Sequence, residues 1–172
     1  MTTITIARAG EGPLRAPLMD SMYRLRSDVF HDRLGWEVRV ENGREHDWFD
    51  LIGPHYLVAH ADSEPTRALG CGRLLPTLGP NMLRDIFPFL VDEGPVPAGE
   101  RIWEISRFAV GEEAGGAGYG FSDVPARMIR EAVWFASERG LEALVGVTSA
   151  AIERMLTRMG LEVERLGRPR RI

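Results

Sequence analysis

Apolar residues along this chain change period several times, and each change marks an element. Residues 2–7 alternate β-branched and polar types, which predicts a first strand, and the Gly and Pro cluster at 10–17 ends it. Met22, Leu25, Val29 and Phe30 then recur at helical spacing, so residues 19–30 are expected to form an amphipathic helix packed on a sheet. From 33 to 53 no period is sustained, and Gly35, Asn42-Gly43 and Gly53 interrupt it. This predicts a long ordered loop with short strands at most, and loops of that length in compact domains usually serve function.

Two apolar runs, HYLVAH at 55–60 and ALGCGRLL at 68–75, flank a turn cluster at 62–65 and predict a hairpin. A short helix closed by proline is expected within 76–88, then a Pro/Gly loop at 92–99. RIWEISRFAV at 101–110 alternates around Ile102, Glu104, Ser106 and Phe108, a strand with charge on one face where a core wants none. A glycine loop at 111–120 leads into a helix at 124–139 with Ser122 and Asp123 as caps. A buried strand at 143–147, a helix at 149–159 closed by Gly160, and a strand at 161–166 complete the pattern. The order predicts one α/β domain over 1–172, a three-layer sandwich around a mixed, mainly antiparallel sheet. A strand, a glycine loop and a helix N-terminus in succession resemble the acyl-CoA-binding core of the Gcn5-related N-acetyltransferases, where amides and the helix dipole hold a pyrophosphate. The GAGYG run is the candidate here, although Glu112 and Glu113 beside it repel such an anion.

Composition narrows the function classes. With 172 residues, 44% hydrophobic and 27% charged, the chain has the make-up of one soluble globular domain. A net charge of -4 argues against general affinity for nucleic acid or an anionic membrane. The single cysteine, Cys71, forms no internal disulfide, which fits a reducing cytoplasm. The opening MTTITIARAG has neither the basic nor the apolar region of a signal peptide, and no run reaches the length of a membrane span, so a cytoplasmic location is expected.

Residues 22–50 concentrate arginines (Arg24, Arg26, Arg33), aromatics (Phe30, Trp36) and acids (Asp28, Asp32, Glu45, Asp47, Asp50). That mixture suits a pocket for a charged, ring-bearing small molecule, and equally an amphipathic helix with solvated charges. Four segments decide between them. RSDVFHDRLGWEV carries Arg26, Phe30 and Trp36; GREHDWFD carries Asp47 and Asp50; GCGRLLPTLGPNML carries Arg73; IWEISRFAV carries Glu104 and Arg107. In this order and at these separations they resemble the LuxI-type acyl-homoserine-lactone synthases, the autoinducer synthases of bacterial quorum sensing.

The resemblance implies an acyltransferase with S-adenosylmethionine as substrate rather than a tightly bound cofactor, no metal, and an acyl donor on acyl-carrier protein or coenzyme A. The α-amine attacks the thioester, and the methionyl carboxylate then displaces 5′-methylthioadenosine to close the lactone. Glu104 is the implied base, with Arg73 and Arg107 in the same catalytic set, and a structural carboxylate paired to either arginine is the alternative. A backbone N–H of a splayed strand pair is expected to meet the oxyanion. Arg26 and Arg107 are implied to hold the substrate carboxylate, Asp47 its ammonium, Asp50 the arginines, and Phe30 and Trp36 the adenine or the sulfonium. A hydrophobic core and an internal ion-pair cluster are the corresponding structural alternatives. Thr148 stands where the resemblance implies a hydroxyl that favours a 3-oxo acyl group, and Arg154 and Arg158 where it implies that an acidic carrier docks; a core threonine satisfied by backbone and a solvated helix face are the structural alternatives. Family members usually continue beyond the RPRRI segment, so the chain is expected to be short at its C-terminus. Two other functions stay open: an N-acetyltransferase using acetyl-CoA, and an inactive S-adenosylmethionine-binding domain.

Overall fold

The computed structural model describes residues 1–115 and 123–171. In chain order its elements are β1 (Thr2–Arg8), α1 (Ala16–Arg26), β2 (Val40–Glu41), β3 (Arg44–Glu45), β4 (His55–Ala61), β5 (Glu64–Pro76), α2 (Met82–Asp85), β6 (Ile102–Val110), α3 (Glu112–Gly115), α4 (Val124–Glu138), β7 (Ala143–Val145) and α5 (Ala150–Arg158). The main sheet has the order β1-β4-β5-β6-β7. Its first three pairings are antiparallel and β6–β7 is parallel. The sheet is therefore mixed and mainly antiparallel, with helices on both faces, as the element order predicts.

β4 shows why HYLVAH is continuously apolar: it is buried from both sides. Tyr56 and Val58 face α1, joining Leu18, Met22, Leu25 and Cys71, while Leu57 and Ala59 face α4, joining Met128 and Ala132. Truncating a fully buried side chain such as Leu57 to alanine costs about 2–5 kcal/mol. Gly70 lets α4 approach closely, since a Cβ there would stand 2.6 Å from Met128 Sδ.

Several boundaries differ from the pattern. Helix α1 starts at Ala16, because Pro17 sits in its first turn, where a missing N–H is harmless. It gives way at Ser27–Arg33 to a wider π-helical turn that buries Val29 and Phe30 together. Asn42 and Gly43, both at positive φ, make the tight β2–β3 turn. Strand β5 begins at Glu64, earlier than expected, because Ala61 pairs with Glu64 across a two-residue turn at Asp62 and Ser63. Part of the expected glycine loop is the helix α3, and the GAGYG run and Ser122 lie outside the described residues. Asp123 occupies the cap position of α4, but its side chain makes no cap hydrogen bond. Strand β7 is a sheet edge rather than a buried strand, with Ala143 exposed. No strand forms at 161–166. That stretch is instead tethered irregularly, with Leu166 O accepting from Asp92 N at 3.0 Å and Arg165 clamping Glu153 at 2.7 and 2.9 Å.

Most consequential is a β-bulge in β6. Cys71 pairs with Ala109 and Arg73 with Ser106, so β6 spends one more residue than β5 between the two pairings. Arg107 takes up the extra length at φ 52°, a left-handed conformation that a non-glycine residue seldom adopts. The bulge reverses the alternation. Phe108 and Val110 pack with Ile105 on the α4 face, so Phe108 does not share a face with Glu104 and Ser106 as simple alternation predicts.

Candidate active site

Side by side across β4, β5 and β6 stand Tyr56, Arg73 and Ser106, paired in register. Above this row the last residue of α1, the β2–β3 hairpin and a 3-10 turn at Trp48–Ile52 with its cap Asp47 deliver Arg26, Glu45, Asp47 and Asp50. Asp47 and Asp50 close a reciprocal capping box at the start of that 3-10 turn, which fixes their separation. The bulge turns Arg107 toward the same place as Ser106, although the two are adjacent in sequence.

Three arginines and three carboxylates meet there. Arg26 donates Nε to Glu45 at 2.6 Å and forks both terminal nitrogens onto Asp50 at 2.9 Å each. Arg73 donates to Asp47 at 2.5 and 3.1 Å, to Asp50 at 3.0 Å and to Ser106 Oγ at 3.2 Å. Arg107 reaches Glu45 at 3.1 Å and Asp47 at 2.9 Å. Formal charges cancel within the group, as burial demands. Each guanidinium also has an aromatic neighbour: Tyr23 at 5.3 Å for Arg26, Phe49 at 5.4 Å for Arg73 and Phe30 at 5.5 Å for Arg107. Burial by itself would raise the Asp50 carboxyl, but its hydrogen bond to Arg26 and the charges of Arg26 and Arg73 outweigh that and hold it well below the usual carboxylate range.

Solvent access divides the cluster. The side chains of Arg26, Glu45, Asp50 and Arg73 are at most 5% exposed, whereas Arg107 is 10% and Asp47 17% exposed. Beside them Trp36 is 48% exposed and stacks on the buried ring of Phe30, with centroids 5.1 Å apart and planes 11° from parallel. The residues that can meet a ligand are thus Arg107, Asp47 and Trp36. Arg26, Asp50 and Arg73 stand behind them, and Phe30 is committed to Trp36 and Arg107.

Glu104 is buried and pairs with neither Arg73 nor Arg107. Its two oxygens accept the amides of Met82 and Leu83, at 3.0 and 2.6 Å, at the N-terminus of α2. Met82 in turn lays its sulfur 3.3 Å from nitrogens of both Arg73 and Arg107, so α2 bridges Glu104 to the ion cluster. Parallel pairing between β6 and β7 ends at Glu104 and Val145. Just beyond, Gly146 passes so close to Ile105 O that a Cβ there would lie 2.6 Å away.

The remaining predicted residues lie apart. Thr148 is exposed on the stretch between β7 and α5. Arg154 and Arg158 are exposed on α5 and line a groove of about 440 Å³ with Ala150, Glu153, Thr157 and Arg165. Among the described residues no group of three or more His, Cys, Asp or Glu is placed to hold a metal ion, and no helix is long and apolar enough to cross a membrane. Cys71 is fully buried, and burial pushes its thiol up to about 12, which removes it as a nucleophile at neutral pH. Sequence reasoning left out Glu45, the carboxylate shared by Arg26 and Arg107, and Tyr56 and Met82. Glu45 was visible as one acid of a dense set; nothing in the sequence distinguishes a tyrosine or methionine with a polar partner from an ordinary core residue.

A profile of the autoinducer synthase family matches residues 14–172. The chain belongs to the autoinducer synthase family. Within it, an acyl-homoserine-lactone synthase of Pseudomonas aeruginosa is 37% identical over 150 residues, covering 87% of this chain and 74% of that one. The crystal structure of the AHL synthase LasI aligns with a TM-score of 0.85 at 35% identity, over 97% of this chain and 82% of that one. BjaI, a CoA-dependent acyl-homoserine lactone synthase whose structure holds SAM and isopentyl-CoA, aligns with a TM-score of 0.87 at 26% identity, over all of this chain and 78% of that one. An acyl-CoA N-acyltransferase from Pseudomonas aeruginosa, at 19% identity and a TM-score of 0.62, shares the fold over 93% of this chain and 88% of that one. As an autoinducer synthase the chain is an enzyme of the acyltransferase class.

Proposed function

We propose that this chain condenses S-adenosylmethionine with an acyl thioester to give an acyl-homoserine lactone, using the ion cluster as its S-adenosylmethionine site. The observation that carries this reading is the arrangement at the rim, where Arg107 pairs with Asp47 and shares the Phe30 ring with the half-exposed Trp36, over a neutral buried support. Arg107 suits the methionyl carboxylate, Asp47 the ammonium and Trp36 the adenine or the sulfonium. Arg26, Asp50, Glu45 and Arg73 hold them in place, and Phe30 backs Trp36. The amine loses a proton and attacks the thioester carbonyl, an N–C bond forms, and the C–S bond breaks to release the thiol. The methionyl carboxylate then attacks the γ-carbon, the sulfonium C–S bond breaks, and 5′-methylthioadenosine leaves as the lactone closes. We assign proton removal to Glu104, directly or through one water, since each of its oxygens accepts one amide and keeps capacity for another donor. That same bonding favours a second role for it, as the anchor of α2.

For the donor, the groove on α5 supports acyl-carrier protein. Arg165 neutralises Glu153 there, which leaves Arg154 and Arg158 as uncompensated positive charge facing an acidic partner. We assign Thr148, exposed on the stretch between β7 and α5, to the acyl 3-position. We place the reaction in the cytoplasm, where both substrates are made.

The test is 5′-methylthioadenosine release with and without acyl donor, together with mass spectrometry of the products. Release that requires the donor and accompanies a lactone is expected. Acetyl transfer to amines without methylthioadenosine would establish the acetyltransferase instead, and binding of S-adenosylmethionine without turnover the inactive domain.

A further inference from the structure

Asp50 is the hub of the cluster, and one of its contacts comes from a neutral side chain. Its Oδ1 accepts from Arg26, from Arg73 and, at 2.9 Å, from the Tyr56 hydroxyl; its Oδ2 accepts from Arg26 and from the Asp47 amide. Tyr56 is 1% exposed, and burial together with the adjoining Asp50 charge keeps its hydroxyl protonated. A phenol has one proton to donate. Since Tyr56 gives its proton to Asp50, the 3.0 Å contact between the Tyr56 and Tyr23 hydroxyls has a fixed direction, with Tyr23 donating. The Tyr23 ring meanwhile lies 5.3 Å from the Arg26 guanidinium, and Arg26 is itself forked onto Asp50. Arg26, Tyr23, Tyr56 and Asp50 therefore close into a ring, in which Tyr56 from β4 and Tyr23 from α1 brace the arginine–carboxylate fork.

Resting on the reading of this cluster as the S-adenosylmethionine site, we infer that Tyr56, oriented by Tyr23, is a positioning residue for S-adenosylmethionine. It acts through Asp50, which fixes Arg26 and Arg73 and, through its contact with the Asp47 amide, the anion at the rim. Neither tyrosine needs to touch the substrate. The hydroxyls rather than the rings carry the effect, because the rings pack in the α1 face of the core whether or not a hydroxyl is present.

Tyr56→Phe and Tyr23→Phe keep the rings and delete one hydroxyl each. For Tyr56→Phe the KM for S-adenosylmethionine, and its Kd by calorimetry, should rise about tenfold, the size expected on losing a hydrogen bond to a charged group. The KM for the acyl donor should stay unchanged. Tyr23→Phe should give a smaller rise, and the double variant should be no worse than Tyr56→Phe alone, because Tyr23 acts through the Tyr56 hydroxyl. A parent-like affinity for S-adenosylmethionine in Tyr56→Phe, equal losses toward both substrates, or multiplicative effects of the two changes would each overturn the inference. Failure of the parent chain to bind S-adenosylmethionine would instead sink the site assignment on which it rests. Should Tyr56→Phe melt early, Tyr23→Phe, on a half-buried residue, gives the same selective readout in a folded protein.

Discussion

Beside β5 and β6, Arg26 and Arg73 lie fully buried among carboxylates that cancel their charge, whereas Arg154 and Arg158 on α5 are exposed and form no ion pair among the described residues. In the first region water is excluded, so every charge must be matched and hydrogen-bonded within the protein, and its geometry becomes rigid as a consequence. Water and salt share the load in the second, and the charges there are free to meet a partner. The two regions suit different tasks. Under the proposed function, one presents a small ligand with groups fixed to fractions of an ångström, and the other attracts a large acidic surface and lets it go.

Breaking the matching should have the largest effect. Asp50→Ala leaves Arg26 and Arg73 without their shared carboxylate and should cost about 3–5 kcal/mol in urea denaturation, along with all turnover. An Arg154→Ala change, by contrast, should stay within about 0.5 kcal/mol of the parent. Acid tests the same contrast. The folded-state value of Asp50 is depressed, so the stability it contributes is fully present above the unfolded carboxylate value of about 3.9 and is lost as pH falls toward the lower folded value. The parent's melting temperature should fall below about pH 4, and the fall should be shallower in Asp50→Ala. Identical acid profiles for the two proteins would show that Asp50 is not the linked group.

Glu104→Gln comes next and separates the two roles of this residue. A base of this kind contributes about 100- to 10,000-fold to the rate. If Glu104 removes the proton, kcat should drop within that range, and the pH–rate profile should change shape. If it only anchors α2, the variant should keep the parent's pH profile at a lower rate, because the amide side chain puts an NH2 where one of the two acceptor oxygens used by Met82 and Leu83 stood.

How much of this was legible before folding follows from the same contrast. Periodicity located the strands of the sheet and the long helices because those signals are local. It missed the phase reversal at Arg107, because a bulge depends on the neighbouring strand and leaves no mark in RIWEISRFAV beyond a charge where the alternation is apolar. The charged residues of the site were legible as a set, since arginines and acids at that density need partners wherever they fold. Their division of labour was not. Whether Arg26 or Arg107 stands nearer solvent depends on a small difference in depth, between the buried end of α1 and the bulge in β6. Glu104 marked the right strand, but its partners are backbone amides, which every residue type except proline supplies.

A moderate effect is expected at α5. Reversing Arg154 and Arg158 together to glutamate should raise the KM for an acylated carrier by about tenfold at low salt and leave the KM for S-adenosylmethionine unchanged. The parent's own KM for the carrier should rise with salt. Use of an acyl-CoA by the parent equal to its use of the acylated carrier, or a carrier KM indifferent to the reversal, would remove the carrier as the preferred donor, yet leave the buried cluster and its chemistry as they are.

The smallest effect should come from Thr148, which belongs to neither region. It is exposed between β7 and α5, away from the ion cluster, so deleting its hydroxyl leaves every buried charge matched. What it can change is the choice among donors that differ by one oxygen at the acyl 3-position. A neutral hydrogen bond is worth about 0.5–1.5 kcal/mol, or roughly two- to tenfold in a product ratio. Thr148→Val keeps the branched shape and should lower the proportion of 3-oxo lactone by that factor at unchanged total output. Thr148→Gly should lower it equally, with some added loss of rate because glycine loosens the connection into α5. An unchanged ratio in both variants would take Thr148 out of donor selection. A uniform fall in all lactones in Thr148→Gly, with Thr148→Val like the parent, would assign the residue to backbone order alone.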